Sequence, residues 1–124
     1  MNFVKNFFMK KDELQKKYSL LKKQIQEMGV ICTGSVISVR KKCGNPICRC
    51  HKDENALHGP YNIWTRKVKA KTVTRTLSDK QAQFCRECIQ NLRKLEIILE
   101  EMKELSVQYV ESYRTESSKE KNSE

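Results

Sequence analysis

The chain has 124 residues, room for one small domain and too few for a catalytic domain plus a regulatory one. Lys and Arg number 25 against 15 Asp and Glu, a formal charge of +10, so a polyanion is the favoured partner class. No apolar run reaches 18 residues, which argues against a membrane span. In residues 1–9, Asn2, Lys5 and Asn6 interrupt the apolar positions; no export signal is expected, and the six cysteines read as cytoplasmic thiols or metal ligands rather than disulfides.

The positive charge is uneven. Residues 1–78 hold 17 Lys and Arg against 5 acids, whereas residues 79–124 hold 8 against 10. In the first segment Leu14, Tyr18, Leu21, Ile25 and Met28 alternate spacings of four and three, Asp12 and Glu13 open the pattern and Gly29 closes it. This predicts an amphipathic helix over 10–29 with a heptad seam, about 30 Å long at 1.5 Å per residue.

From Gly34 the period shortens. Ser35 to Lys42, Tyr61 to Val68 and Lys71 to Leu77 are rich in Val, Ile, Thr, Tyr and Trp and read as three strands. Only Lys69 and Ala70 separate the last two, a hairpin without Asn-Gly or Asp-Gly turn chemistry. Ser78 and Gln81 form a capping box for a second helix, read over 79–113 and about 50 Å long. Its stripe runs through Phe84, Cys88, Leu92, Leu95, Leu99, Met102 and Tyr109, widened by Ile89, Ile98 and Leu105. Leu14, Leu21 and Ile25 are expected to pack on Leu92, Leu95 and Leu99, leaving Met102 to Tyr109 for a partner chain or solvent. Residues 114–124 lack apolar side chains and read as a disordered tail. The expected fold is α+β: one domain over 1–113, with a small three-stranded antiparallel sheet carrying a zinc loop over 34–77, flanked by the two helices as a helical hairpin.

Between the first two strands lies KKCGNPICRCHKDENALHGPY, which holds Cys43, Cys48, Cys50, His51 and His58. Zn2+ takes four soft or borderline donors in a tetrahedron, and Gly44, Asn45, Pro46, Gly59 and Pro60 permit the reversals that would gather them. The preferred set is Cys43, Cys48, Cys50 and His58. His51 competes, but its side chain must turn back directly after Cys50. A closed Cys3His shell is structural, with no position for a reacting water. The alternative is three reduced thiols in a surface loop, or a labile disulfide. Cys85 and Cys88 share one helix face and read as small buried hydrophobes, and Cys32 reads as a packing residue.

CGNPICRC, HGPY, the KTVTRTL strand and the long helix together resemble an uncharacterised family of short prokaryotic proteins, a domain of unknown function in which a CGKPxCxC element precedes HGPY. The resemblance spans about residues 34–105. It implies that Cys43, Cys48, Cys50 and His58 act together and implies no activity. His51 stands where that family commonly has a small residue, and Cys32, Cys85 and Cys88 are additional.

No phosphate loop, G-x-S-x-G elbow, H-E-x2-H or zinc-deaminase order occurs, and the adjacent Asp53 and Glu54 read as solvated, so no enzyme is expected. Between Gly34 and Thr76 stand Arg40, Lys41, Lys42, Arg49, Lys52, Arg66, Lys67, Lys69, Lys71 and Arg75, interleaved with Tyr61 and Trp64. A ribbon of this kind neutralises phosphates and offers an aromatic for stacking, which predicts nucleic-acid binding to DNA or RNA. Trp64 reads equally as a stacking residue or a core anchor. The rival expectation is a small adaptor or inhibitor that docks on an acidic protein and assembles, as a homodimer or with another chain, through its long helix.

Overall fold

The structure is a computed structural model that describes residues 10–123, with side chains described as far as Arg114. The reading of residues 1–9 lies outside the described residues. Helix α1 spans Lys11–Gln26, strands β1, β2 and β3 span Ser35–Lys41, His58–Val68 and Lys71–Leu77, and helix α2 spans Asp79–Ser123. The protein is therefore α+β, with the three strands in one antiparallel sheet ordered β1-β2-β3. None of the described helices is long and apolar enough to cross a membrane.

The chain divides into two compact units, Met1–Met28 with Arg93–Glu124 and, separately, Gly29–Leu92. In the first unit α1 pairs with the later part of α2 as an antiparallel hairpin. Leu14 and Leu21 are buried with Ile98 and Leu105, and Tyr18, Ile25, Met28, Met102 and Tyr109 close around them. Tyr18 meets Tyr109 edge to face at 6.2 Å, and the Lys11 ammonium lies 4.4 Å from the Tyr113 ring centre. The seam differs from the expected one: Leu99 is exposed and Leu95 half-buried, while Leu105, assigned above to the outward segment, is buried. At 3.6 residues per turn the widening residues Ile98 and Leu105 face α1 together with Met102 and Tyr109 of the stripe, and Leu99 turns to solvent. The helix also continues to Ser123, beyond the boundary read at Tyr113. TESSKEKNS contains no Gly or Pro to stop it, and its Glu and Lys are good helix formers.

In the second unit one sheet face packs on the first turns of α2. Leu77, Ala82, Cys85 and Ile89 are buried, with Cys32, Val36 and Trp64 packed against them. Phe84, read above as part of the stripe, is exposed, because small Ala82 and Cys85 are the residues that meet the sheet. The capping box forms as read: the Gln81 amide donates to Ser78 Oγ at 3.1 Å and the Ser78 amide to Gln81 Oε1 at 2.9 Å. The hairpin turn places both Lys69 (φ 50°) and Ala70 (φ 67°) in the left-handed region, the backbone of a type I′ turn achieved without glycine.

Candidate metal centre

Strand β2 begins three residues earlier than its sequence pattern, at His58, because the β1–β2 ladder contains a bulge. Val39 pairs with Tyr61 and Lys41 with His58, so Gly59 and Pro60 sit opposite the irregularity. Proline has no N–H to offer a ladder, and Gly59 has φ +118° with no room for a Cβ, which would stand 2.8 Å from the Val39 carbonyl oxygen. The bulge carries the chain from Lys41 to Cys43 beside the start of β2, where His58 stands.

The intervening loop is held by turns. The Cys48 amide donates to the Asn45 carbonyl at 3.1 Å across a turn with Pro46 second, and the Ile47 amide donates to Asn45 Oδ1 at 3.2 Å. Cys48 then opens a 3-10 turn, Arg49–His51, and a second follows at Glu54–Ala56 with Asp53 Oδ1 accepting from the Asn55 amide. Asp53 also pairs with Arg49 at 3.3 Å on the surface, and Glu54 is exposed.

These turns bring Cys43, Cys48, Cys50 and His58 together, their four donor atoms within 4.8 Å of one another. Cys43 and Cys50 sulfurs lie 3.6 Å apart and Cys48 Sγ lies 3.3 Å from His58 Nε2. Cys50 is buried and the other three half-buried, and the Cys43 amide donates to Cys50 Sγ at 3.3 Å. The Cys50 backbone N–H, followed by the contacts to His58, Cys50 and Cys43, lowers the Cys48 thiol to about 6. Burial pushes the Cys50 thiol the other way. His51 is committed elsewhere: its Nε2 donates to the Cys43 carbonyl at 2.9 Å. The cluster could hold a metal ion, with His58 rather than His51 as the imidazole donor.

The basic residues fall into two groups. Arg40, Lys41, Lys42, Arg49, Lys52, Lys67, Lys69, Lys71 and Arg75 are exposed. Arg66 instead lays its guanidinium over the Trp64 ring at 4.2 Å, and Trp64 Nε1 donates to the Thr33 carbonyl at 2.9 Å. Half-buried Trp64 thus packs against the cluster of Leu77, Ala82, Cys85 and Ile89, with Arg66 over its ring, which is the core-anchor geometry. One grouping had no sequence signal. Cys32, 53 positions from Cys85, brings its sulfur to 3.6 Å from that of Cys85.

The chain is thus an α+β protein whose Cys3His cluster, at the end of the β1–β2 ladder, could hold a metal ion. The chain belongs to the DUF6788 family, a domain of unknown function, whose family model matches residues 11–84. No curated protein and no solved structure matches it.

Proposed function

We propose that the cluster is a structural zinc centre that orders a non-catalytic, nucleic-acid-binding sheet. The donor set supports zinc. With thiolate bonds of about 2.3 Å and an imidazole bond of about 2.0 to 2.1 Å, a tetrahedral site has edges of roughly 3.6 to 3.8 Å. The Cys43–Cys50 and Cys48–His58 separations, 3.6 and 3.3 Å, share no atom and so correspond to opposite edges of such a tetrahedron. Bound there, the ion would supply cross-linking of the loop to both strands, with four protein donors and no place for water. The lowered Cys48 thiol favours the thiolate that a metal requires.

The observation that carries the nucleic-acid reading is the sheet face turned away from α2. Strand alternation puts Ile37, Val39, Tyr61, Ile63, Thr65, Lys67, Thr72, Thr74 and Thr76 on that face, opposite Val36, Trp64, Arg66, Lys71, Arg75 and Leu77. Lys41 lies 5.3 Å from the Tyr61 ring centre, and Lys67 donates to Thr72 Oγ1 at 2.8 Å. Hydroxyls and ammonium groups on an extended ribbon are phosphate donors. Residues 29–92 hold 12 Lys and Arg against 4 Asp and Glu, a surplus of eight out of the chain's ten. Titration of labelled single-stranded and duplex DNA and RNA at two salt concentrations tests this. Reversing Lys41 and Lys67, the ammonium groups on that face, should weaken binding and lower the salt slope by about 0.7 to 0.9 per lost contact. Absence of binding to all four probes at low salt would refute it.

A second reading is favoured by the first unit, where Leu20, Ile97, Val107 and Val110 are exposed on the helical hairpin. In that reading the chain is an adaptor that assembles through α2, and sedimentation without nucleic acid would show concentration-dependent association.

A further inference from the structure

The thiols outside the metal cluster are gathered in the second unit. Cys32 lies in the segment before β1, and its amide donates to the Cys88 carbonyl at 3.2 Å, which fixes it against the first turns of α2. Its sulfur lies 3.6 Å from Cys85 Sγ and 3.7 Å from the Cys85 carbonyl oxygen. Cys85 and Cys88 are buried, at 7% and 2% exposure, while Cys32 is half-buried. Among the described residues, the group that could encage a metal ion includes none of these three. Arg66, held on Trp64, has its Nη1 buried without a hydrogen-bond partner.

We propose that Cys32 and Cys85 form a reversible redox pair, with Cys32 meeting a hydroperoxide and Cys85 resolving the product. An accessible thiol backed by a buried one fits that division, and closing the sulfurs from 3.6 Å to a bond of about 2.05 Å takes side-chain rotation of about 1.5 Å. In the first step the Cys32 thiolate attacks a peroxide oxygen, the O–O bond breaks, and the departing hydroxide takes up the thiol proton as water, leaving a sulfenic acid. In the second, Cys85 sulfur attacks Cys32 sulfur, the S–O bond breaks, and hydroxide leaves with the Cys85 proton as a second water. Two thiols and one hydrogen peroxide give one disulfide and two waters. Exchange with a dithiol reductant reverses it. Burial and the neighbouring Cys85 thiol hold Cys32 protonated above the ordinary thiol range, so the pair responds slowly at neutral pH.

The test uses the full chain supplied with zinc, treated with a small excess of hydrogen peroxide, alkylated and digested with trypsin. Cleavage after Arg86 separates Cys85 from Cys88, so the two partners give different products. The expected result is residues 24–40 joined to residues 81–86 by a bond that a reductant removes. That link should persist in Cys88→Ser and vanish in Cys32→Ser while both variants keep their metal. Recovery of Cys32 as an alkylated free thiol, its direct conversion to sulfinic acid, or a link from Cys32 to residues 87–93 would each overturn the proposal.

Discussion

Gly34, which opens β1 on the side of Cys32, is the position where one added methyl group should do most harm. Its φ is +101°, and a Cβ there would overlap the Thr65 carbonyl oxygen and stand 3.0 Å from both Arg66 Cβ and Trp64 Nε1. The carbonyl belongs to the backbone of β2 and cannot swing aside as a side chain does. Gly34→Ala must therefore displace the Ser35–Thr65 pairing that begins the ladder and disturb the bond from Trp64 to the adjacent Thr33 carbonyl. The positive φ costs an alanine roughly 1–2 kcal/mol, and each neutral hydrogen bond lost adds about 1 kcal/mol. A total of about 3–4 kcal/mol is a large share of the 5–15 kcal/mol typical of a domain. The single tryptophan, Trp64, reports this region, so urea unfolding followed by its fluorescence should show the midpoint falling by on the order of 2 M for an m-value of about 1.5 to 2 kcal/mol/M. Gly44→Ala is the control, since a Cβ there meets nothing within 4 Å. A Gly34→Ala midpoint matching that of Gly44→Ala would refute the reasoning.

Three further outcomes follow from the packing. Leu105→Ala, at a buried hairpin position, should cost about 3 kcal/mol, and Leu99→Ala, at an exposed one, less than about 1 kcal/mol; thermal unfolding of the pair checks the seam, and the reverse order would contradict it. Ser78→Ala removes the side-chain half of the capping box and should cost about 1 kcal/mol by the same assay, with Ser78→Asp largely restoring it. Burial raises the Cys32 and Cys88 thiols above their ordinary value near 9.0, so the folded chain holds those protons more tightly than the unfolded one. The stability they contribute is intact below that value and is lost as the pH rises through the raised values; unfolding temperature should fall above about pH 9, less steeply in Cys88→Ala.

The candidate centre was legible because its parts lie within 16 residues and are joined by turn formers whose local geometry can be read directly, as the Asn45–Cys48 turn shows. Choosing His58 over His51 also rested on local closure, and the hydrogen bond from His51 to the Cys43 carbonyl supplies the reason. The sheet and both helices were visible as changes of period. What stayed hidden depended on contacts between distant segments. The early start of β2 comes from a bulge that lets Gly59 and Pro60 interrupt the ladder, and nothing in a strand pattern announces it. The seam of α2 is chosen by what faces it: α1 selects Ile98 and Leu105, and the sheet selects Ala82 and Cys85 over Phe84. Trp64 had two equal readings until Thr33 and Arg66 were seen to engage it. The Cys32–Cys85 approach spans 53 positions and has no local trace.

The central claim is that Cys43, Cys48, Cys50 and His58 hold one zinc ion that orders the basic sheet. Native mass spectrometry of the purified chain, with thiol alkylation in the same sample, tests it most directly. The account predicts one Zn2+ per chain and protection of Cys43, Cys48 and Cys50 from alkylation until a chelator is added, with His58→Ala and Cys48→Ser both losing the ion. A chain that carries no metal after zinc is supplied, with all three of those thiols alkylated at the rate of an exposed cysteine, would contradict it.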